Sequence, residues 1–186
     1  MAEPIHRKGR RNDAKGRKAV RAGATYDYTL SMDTLLTLSL PDEAATRALG
    51  ARLWPLLAAG DVVALAGDLG AGKTTLARGL IQRAMADDAP VPSPTFTLVQ
   101  VYEPKAGPVI WHFDLYRLSD AAELTELGWD EALAEGVSLV EWPERAGDAL
   151  PDTALRLELE TVGSGRRAAF KGGREWSRRL AGTLAA

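Results

Sequence analysis

The 186-residue sequence contains no cysteine. This absence excludes disulfide bonds, a thiolate nucleophile and thiolate-bound metals. No apolar run approaches the roughly 20 residues that a membrane-spanning helix needs. The charged N-terminus also lacks the apolar centre of a signal peptide. We therefore expect a cytoplasmic protein without membrane contact. Hydrophobic residues make up 46% of the sequence, which suffices for the core of one ordinary domain.

Acidic and basic residues nearly balance, but they are unevenly distributed. Residues 1–22 hold eight basic residues against two acidic ones, whereas the rest holds 15 basic and 23 acidic residues. A basic tail fits a polyanion partner such as RNA, and it equally fits a disordered segment without a specific partner. We predict a disordered basic tail at residues 1–31 and one folded domain at residues 32–186, with Met32 as an alternative translation start.

A glycine-rich stretch at residues 67–74 carries the clearest chemical signal. It reads Gly, four residues, then Gly-Lys-Thr, which is the pattern of a phosphate-binding loop. A short β-branched run, residues 61–66, precedes it, and residues 75–85 follow with apolar side chains at helical spacing. Backbone N–H groups between a strand and a helix can converge on a polyphosphate, and the helix dipole adds positive potential.

This stretch supplies an ammonium group and a hydroxyl besides its amides. Lys73 would reach the β- and γ-phosphates of ATP, and the Thr74 hydroxyl would ligate Mg²⁺. The predicted nucleotide-binding residues of the loop are Gly67, Asp68, Leu69, Gly70, Ala71, Gly72, Lys73 and Thr74.

Two acidic residues stand at the ends of predicted strands. Asp114 lies in the strand 109–116, and Glu141 directly follows the apolar run 137–140. An apolar strand that ends in a carboxylate delivers the acid to the same sheet edge as the phosphate loop. Either acid alone could be a solvated strand terminus. Beside a phosphate loop, we expect at least one of them to serve Mg²⁺, and the sequence leaves open which one is the inner ligand.

Other residues near these motifs have open interpretations. Ser93-Pro94-Thr95 is a stiff loop whose Thr95 hydroxyl could sense a γ-phosphate, although the same residues are ordinary in turns. Trp142 is either a core residue or a stacking surface. His112 is predicted to be a structural hydrogen-bonding residue rather than a catalyst, since phosphoryl transfer to water needs no protein nucleophile.

The patterning predicts an α/β protein with a P-loop NTPase fold. The turn between the predicted strands 95–102 and 109–116 is too short for a crossover, so these strands should be antiparallel. We therefore expect a mixed, mostly parallel sheet with an antiparallel hairpin, flanked by helices. The other predicted strands are 34–40, 61–66, 137–140, 154–162 and 167–170, and the predicted helices are 42–60 (kinked or shortened at Pro55), 75–85, 121–133 (interrupted at Gly128) and 174–184.

Five motifs occur in series along the chain: residues 67–75 (GDLGAGKTT), 93–96 (SPTF), 112–118 (HFDLYRL), 126–128 (ELG) and 141–145 (EWPER). In this order they resemble the TsaE (YjeE) family, the bacterial ATPases of tRNA threonylcarbamoyladenosine (t6A) biosynthesis. The resemblance covers about residues 34–180.

The resemblance implies ATP and Mg²⁺ binding with slow hydrolysis, in support of the TsaB–TsaD complex that transfers threonylcarbamoyl to tRNA. It implies that Lys73 grips the phosphates, that Thr75 continues the cradle and that Trp142 lies near the nucleotide. It implies that Thr74 ligates the metal, that Asp114 and Glu141 serve the metal and the attacking water, and that Thr95 lies in a switch-like loop. Contact with tRNA would be indirect, with the basic tail as a candidate.

Other P-loop classes fit the residues less well. A small-molecule kinase is the alternative, but an arginine-rich lid is lacking after the acidic strands; Arg166-Arg167, in a predicted hairpin turn, is the nearest candidate. A GTPase would need an Asn-Lys-x-Asp stretch, and the only asparagine is Asn12 in the tail. A nucleotide-binding module without hydrolysis is the remaining reading.

Overall fold

The computed structural model describes residues 34–182. The predicted tail, residues 1–31, and the last two residues of the predicted terminal helix lie outside this range. The strands are β1 (Thr34–Leu40), β2 (Val62–Ala66), β3 (Val99–Tyr102), β4 (Ile110–Asp114), β5 (Val137–Glu141), β6 (Leu155–Val162) and β7 (Gly165–Lys171). The α-helices are α1 (Glu43–Leu53), α2 (Lys73–Met85), α3 (Trp129–Glu135) and α4 (Arg174–Ala181), and short 3-10 segments lie at Trp54–Leu56, Leu115–Arg117, Ala121–Leu127 and Pro143–Ala149.

All the strands belong to one sheet with the order β1-β7-β6-β2-β5-β4-β3. The four neighbours β6, β2, β5 and β4 are parallel, whereas β3 is antiparallel to β4, and β7 is antiparallel to both β6 and β1. Five strands therefore run in one direction and two in the other. This confirms the predicted mixed, mostly parallel α/β fold.

Helices cover both faces of the sheet. On one face, Val63 and Leu65 of β2 pack in a core that also includes residues of α1, α2 and α4. On the other face, Val62 and Ala64 pack in a core with Trp129 and Ala132 of α3. Burial on both faces explains why β2 is apolar throughout rather than alternating. The arrangement leaves the ends of the parallel strands as the place where polar side chains can gather.

Several predicted boundaries are wrong by part of an element. The first helix begins after Asp42, whose carboxylate accepts a hydrogen bond from the Ala45 amide at 2.7 Å, and it is shortened at Pro55 as predicted; it ends at Leu53 and does not extend to Gly60. Strand 109–116 ends at Asp114, where a 3-10 turn follows. The helix 121–133 divides at Gly128, as predicted, but its first half is 3-10.

The predicted strand 95–102 is wrong in its first half. Residues 95–98 form a turn in which the Leu98 amide donates to the Pro94 carbonyl at 2.6 Å, and Leu98 has a φ of 63°. β3 therefore starts only at Val99. The displaced segment places Thr95 against Asp114 instead of in the sheet ladder. Within residues 34–182, every helix is too short or too polar to cross a membrane.

Candidate nucleotide-binding site

The phosphate loop lies between the end of β2 and the start of α2, as its sequence context predicts. Gly67 has a φ of 137°, and a Cβ there would lie 2.3 Å from the Leu159 carbonyl oxygen. Glycine is therefore required both by the backbone conformation and by the approach of β6. The N-terminus of α2 carries no side-chain cap, so its first amides and the helix dipole are directed at the space beside the loop.

Lys73 is folded back onto its own loop. Its side chain is buried, with 4% of the residue exposed, and Nζ donates to the carbonyl oxygens of Gly67 at 2.6 Å and Asp68 at 2.8 Å. The ammonium also lies 3.9 Å from the ring centroid of Trp142, a cation–π contact. Burial lowers the pKa of Lys73 from its ordinary value, an effect that the negative charge of Glu141 opposes.

Trp142 contacts both the core and the phosphate loop. It is partly buried against the α3 side of the core, yet its ring faces Lys73 and packs against Tyr116 with ring centroids 5.0 Å apart. The residue has a φ of 59°, which non-glycine residues seldom adopt. This backbone conformation turns the indole toward the phosphate loop directly after Glu141.

Glu141 joins the loop to the neighbouring strand. Its carboxylate is 2% exposed; Oε2 accepts a hydrogen bond from the Thr74 hydroxyl at 2.9 Å, and Oε1 lies 2.9 Å from His112 Nε2. Because an ionised carboxylate can only accept, the imidazole donates from Nε2. His112 is fully buried in β4, where it makes this hydrogen bond. The bond holds the carboxylate toward Thr74.

Asp114 is also buried, but its partners are different. Its Oδ2 accepts hydrogen bonds from Ser93 at 2.5 Å and Thr95 at 2.6 Å, and its Oδ1 accepts from the Tyr116 amide at 3.1 Å. Asp114 and Glu141 are register partners on adjacent parallel strands. The two acids thus stand side by side, one bound to the phosphate loop and the other to the segment before β3.

These groups surround a cavity of about 330 Å³. A larger, open groove of about 720 Å³ between α1 and α2 holds none of the predicted site residues, so the smaller cavity is the candidate site. The cavity is lined by Leu69, Gly70, Gly72, Lys73, Thr74, Thr75, Ser93, Thr95, Asp114, Tyr116, Glu141, Trp142 and Arg166. Of the predicted loop residues, Gly67 and Asp68 hold the lysine through their carbonyls instead.

Three cavity residues were not among the predicted site residues: Ser93, Tyr116 and Arg166. The predicted strand 109–116 put Tyr116 on the face of Asp114 by the period of two, but Tyr116 lies in the 3-10 turn after β4, so this turn and not strand alternation brings it to the cavity. Arg166 had no local signal beyond its appearance in the pair Arg166-Arg167, since its place depends on strand β7 reaching the loop from a distant part of the chain.

The oxygen donors of this cavity suit a cation that would bind together with a phosphate-bearing ligand. Within residues 34–182, no group of three or more histidine or acidic side chains forms a ready metal site. Mg²⁺ is commonly held by one or two carboxylates together with substrate phosphates and water. Thr74 with Glu141 and Asp114 is a donor set of that incomplete kind.

A glycine-rich loop between strand and helix, with acids on adjoining parallel strands, defines a P-loop NTPase-type fold. The solved structure of the Bacillus protein YdiB is similar, with a TM-score of 0.64 and 26% identity over 79% of this chain and 92% of that one.

The family model of the threonylcarbamoyl adenosine biosynthesis protein TsaE matches residues 40–169. The tRNA threonylcarbamoyladenosine biosynthesis protein TsaE of Mycobacterium tuberculosis is 42% identical over 68% of this chain and 79% of its own. The proteins of that name from Streptomyces coelicolor and Haemophilus influenzae are 45% and 39% identical, over 78% and 82% of their lengths and 61% and 67% of this chain. The chain belongs to the TsaE family of tRNA threonylcarbamoyladenosine biosynthesis, which confirms the predicted resemblance.

Proposed function

We propose that the protein is a Mg²⁺-dependent ATPase that supports t6A modification of tRNA by acting on the TsaB–TsaD complex. The observation that carries the proposal is the contact of the Thr74 hydroxyl with the buried Glu141 carboxylate, beside Lys73 in the same loop. Membership of the TsaE family supports the pathway, and it favours this reading over a small-molecule kinase.

In this proposal, Lys73 exchanges its partners when ATP binds. The ammonium leaves the carbonyl oxygens of Gly67 and Asp68 and donates to the β- and γ-phosphates, while the amides at the start of α2 cradle the same phosphates. Charge-assisted hydrogen bonds to phosphate are stronger than bonds to neutral carbonyls. The face of Trp142 remains beside the ammonium and shields it from water.

Thr74, Glu141 and Asp114 would hold the metal and the attacking water. The Thr74 hydroxyl already donates its proton to Glu141, so its lone pairs are free for a cation. Mg²⁺ bound there would neutralise charge on the β- and γ-phosphate oxygens. Glu141, fixed by His112 from its other side, would position the water for attack in line with the leaving group.

Thr95 reports the nucleotide state in this scheme. Its hydroxyl is hydrogen-bonded to Asp114, which stands next to Glu141 in the sheet. Phe96, the next residue, is 82% exposed, and so is Leu69 in the phosphate loop. Exposed apolar side chains on both sides of the cavity offer a surface that TsaB–TsaD could recognise. Contact with tRNA would be indirect. The basic tail is a candidate segment for this contact, and it lies outside the described residues.

One experiment separates the possible functions. ATP hydrolysis is measured with the protein alone, with candidate small-molecule acceptors, and with purified TsaB–TsaD and tRNA. We expect slow hydrolysis alone and nucleotide-dependent association with TsaB–TsaD. Transfer of phosphate to a metabolite would overturn the proposal in favour of a kinase. Binding without hydrolysis under all conditions would leave only a nucleotide-binding module.

A further inference from the structure

One face of α2 carries polar side chains on three successive turns. Thr74, Arg78 and Gln82 share this face, because residues four apart in a helix lie one above the other. Thr74 contacts Glu141 in the cavity, whereas the other two bind the return segment, which we define as residues 87–95. The row therefore connects the nucleotide cavity with the chain that leaves the far end of α2.

The return segment runs back along this row toward the cavity. Gln82 Nε2 donates to the carbonyl oxygens of Asp88 and Ala89, at 3.1 and 3.0 Å. One turn closer to the cavity, Arg78 Nε donates to the carbonyl oxygen of Val91 at 3.2 Å. Four residues of helix advance about 6 Å, nearly the span of two extended residues, so helix and segment stay in step.

The proline content of the return segment explains why donors from α2 matter. Pro90, Pro92 and Pro94 have no backbone N–H, so they cannot donate a hydrogen bond that would fix the chain. The Val91 side chain is 5% exposed and attaches the segment to the core, while Arg78 binds the carbonyl of the same residue. The helix and the core together thus set the position of the segment.

Ser93 and Thr95 lie at the end of the return segment. Both hydroxyls line the cavity and donate to Asp114 Oδ2, at 2.5 and 2.6 Å. Hydrogen bonds weaken steeply when distance or angle departs from the optimum, so a displaced segment would lose them. Arg78 is not among the residues that line the cavity, so it can affect these hydroxyls only through the segment.

We propose that Arg78 is a positioning residue for ATP hydrolysis. Through the carbonyl of Val91, its guanidinium holds the hydroxyls of Ser93 and Thr95 at the cavity. The side chain is 30% exposed, and a charged donor makes a stronger hydrogen bond than a neutral one. Its Nη1 also lies 3.9 Å from Oε1 of Glu43 in α1, a longer contact. This inference rests on the proposed function, because it names a residue that serves the same reaction from outside the cavity.

The test measures turnover and binding in the full-length protein. Steady-state phosphate release gives kcat, and calorimetric titration with Mg²⁺–ATP gives Kd. In Arg78→Met we expect kcat to fall about three- to ten-fold and Kd to change less than about two-fold, since one hydrogen bond outside the cavity is lost. Arg78→Lys keeps a charged donor and should recover part of the rate.

Two control variants should turn over as the wild type does. Arg83→Met removes an exposed arginine from the last turn of the same helix. Glu43→Gln removes only the longer contact of Arg78. A loss of turnover in either control equal to that in Arg78→Met would contradict the inference, and so would an unchanged kcat in Arg78→Met.

A variant without the two hydroxyls separates positioning from general damage. In the background Ser93→Ala/Thr95→Val, the further change Arg78→Met should cause no additional loss of kcat, because the groups that Arg78 positions are already absent. A loss as large as in the wild-type background would overturn the inference.

Hydrogen exchange of the nucleotide-free protein gives a reading that needs no turnover. In Arg78→Met the amides of the return segment should exchange about 10-fold faster than in the wild type, and in Arg83→Met at the wild-type rate. Unchanged exchange in Arg78→Met would contradict the holding contact. If the wild type fails to hydrolyse ATP, the proposed function fails, and the exchange rates still decide whether Arg78 holds the segment.

Discussion

The parallel centre of the sheet and its antiparallel margins supply different parts of the candidate site. Asp114 and Glu141 end central strands, Lys73 begins the helix that follows the central strand β2, and each is at most 4% exposed. The margins contribute Ser93 and Thr95, from the segment before β3, and Arg166, from β7; these three are only partly buried. The most strongly buried charged side chains therefore lie near the centre of the sheet, and side chains from its margins line the rest of the same cavity.

The hydrogen bonds differ in the same way. Glu141 in the centre is held on both oxygens, by Thr74 and His112, whereas Thr95 contacts the site through its hydroxyl and Arg166 through Nε. A buried charged group that loses its partner costs more than an exposed one. We therefore expect substitutions in the centre to abolish binding or chemistry, and substitutions at the margins to modulate them.

The largest effect should come from Lys73→Ala. The change removes the buried ammonium that would bind two phosphates, and two charge-assisted hydrogen bonds correspond to a loss of affinity of about 100-fold or more. Calorimetric titration with Mg²⁺–ATP measures the loss. Lys105→Ala, at the exposed turn between β3 and β4, is the control and should bind as the wild type does. If Lys73→Ala bound ATP normally, the loop would not be a phosphate site.

Glu141→Gln should separate binding from turnover. Glutamine keeps the shape and can still contact Thr74, so the Kd for ATP should change less than about five-fold, while kcat should fall about 100-fold because a group that positions water is lost. Steady-state phosphate release gives kcat. Glu135→Gln, at the exposed end of α3, removes the same charge away from the cavity and should retain turnover. Unchanged turnover in Glu141→Gln would remove Glu141 from the chemistry.

The same contrast explains what could be predicted from the sequence. The phosphate loop and the acid at the end of β5 follow from local patterns, because the fixed loop residues and the apolar runs beside them are continuous in the chain. Strand β3 was predicted too long because alternation at residues 95–98 does not reveal that Leu98 turns back on Pro94. That turn, and not the strand, brings Thr95 to Asp114.

Arg166 could not be placed from sequence for a different reason. Its contact with Ala71 spans 95 residues and exists only because β7 is inserted between β1 and β6. Nothing in the residues around Arg166 distinguishes it from Arg167, yet strand alternation directs one guanidinium to the loop and the other to Glu160. Local motifs therefore identify the centre of this site, while its margins depend on strand order.

Thr95→Val should have the smallest of these effects. Valine keeps the branched shape and removes one hydrogen bond to Asp114, which is worth about a three- to ten-fold change in kcat if the bond must re-form around the nucleotide. Thr97→Val, two residues along and exposed, is the matched control. A fall in kcat for Thr95→Val alone would show that the margin takes part in turnover. Identical rates for both variants would confine the chemistry to the centre of the sheet, and Thr95 would then be a structural partner of Asp114.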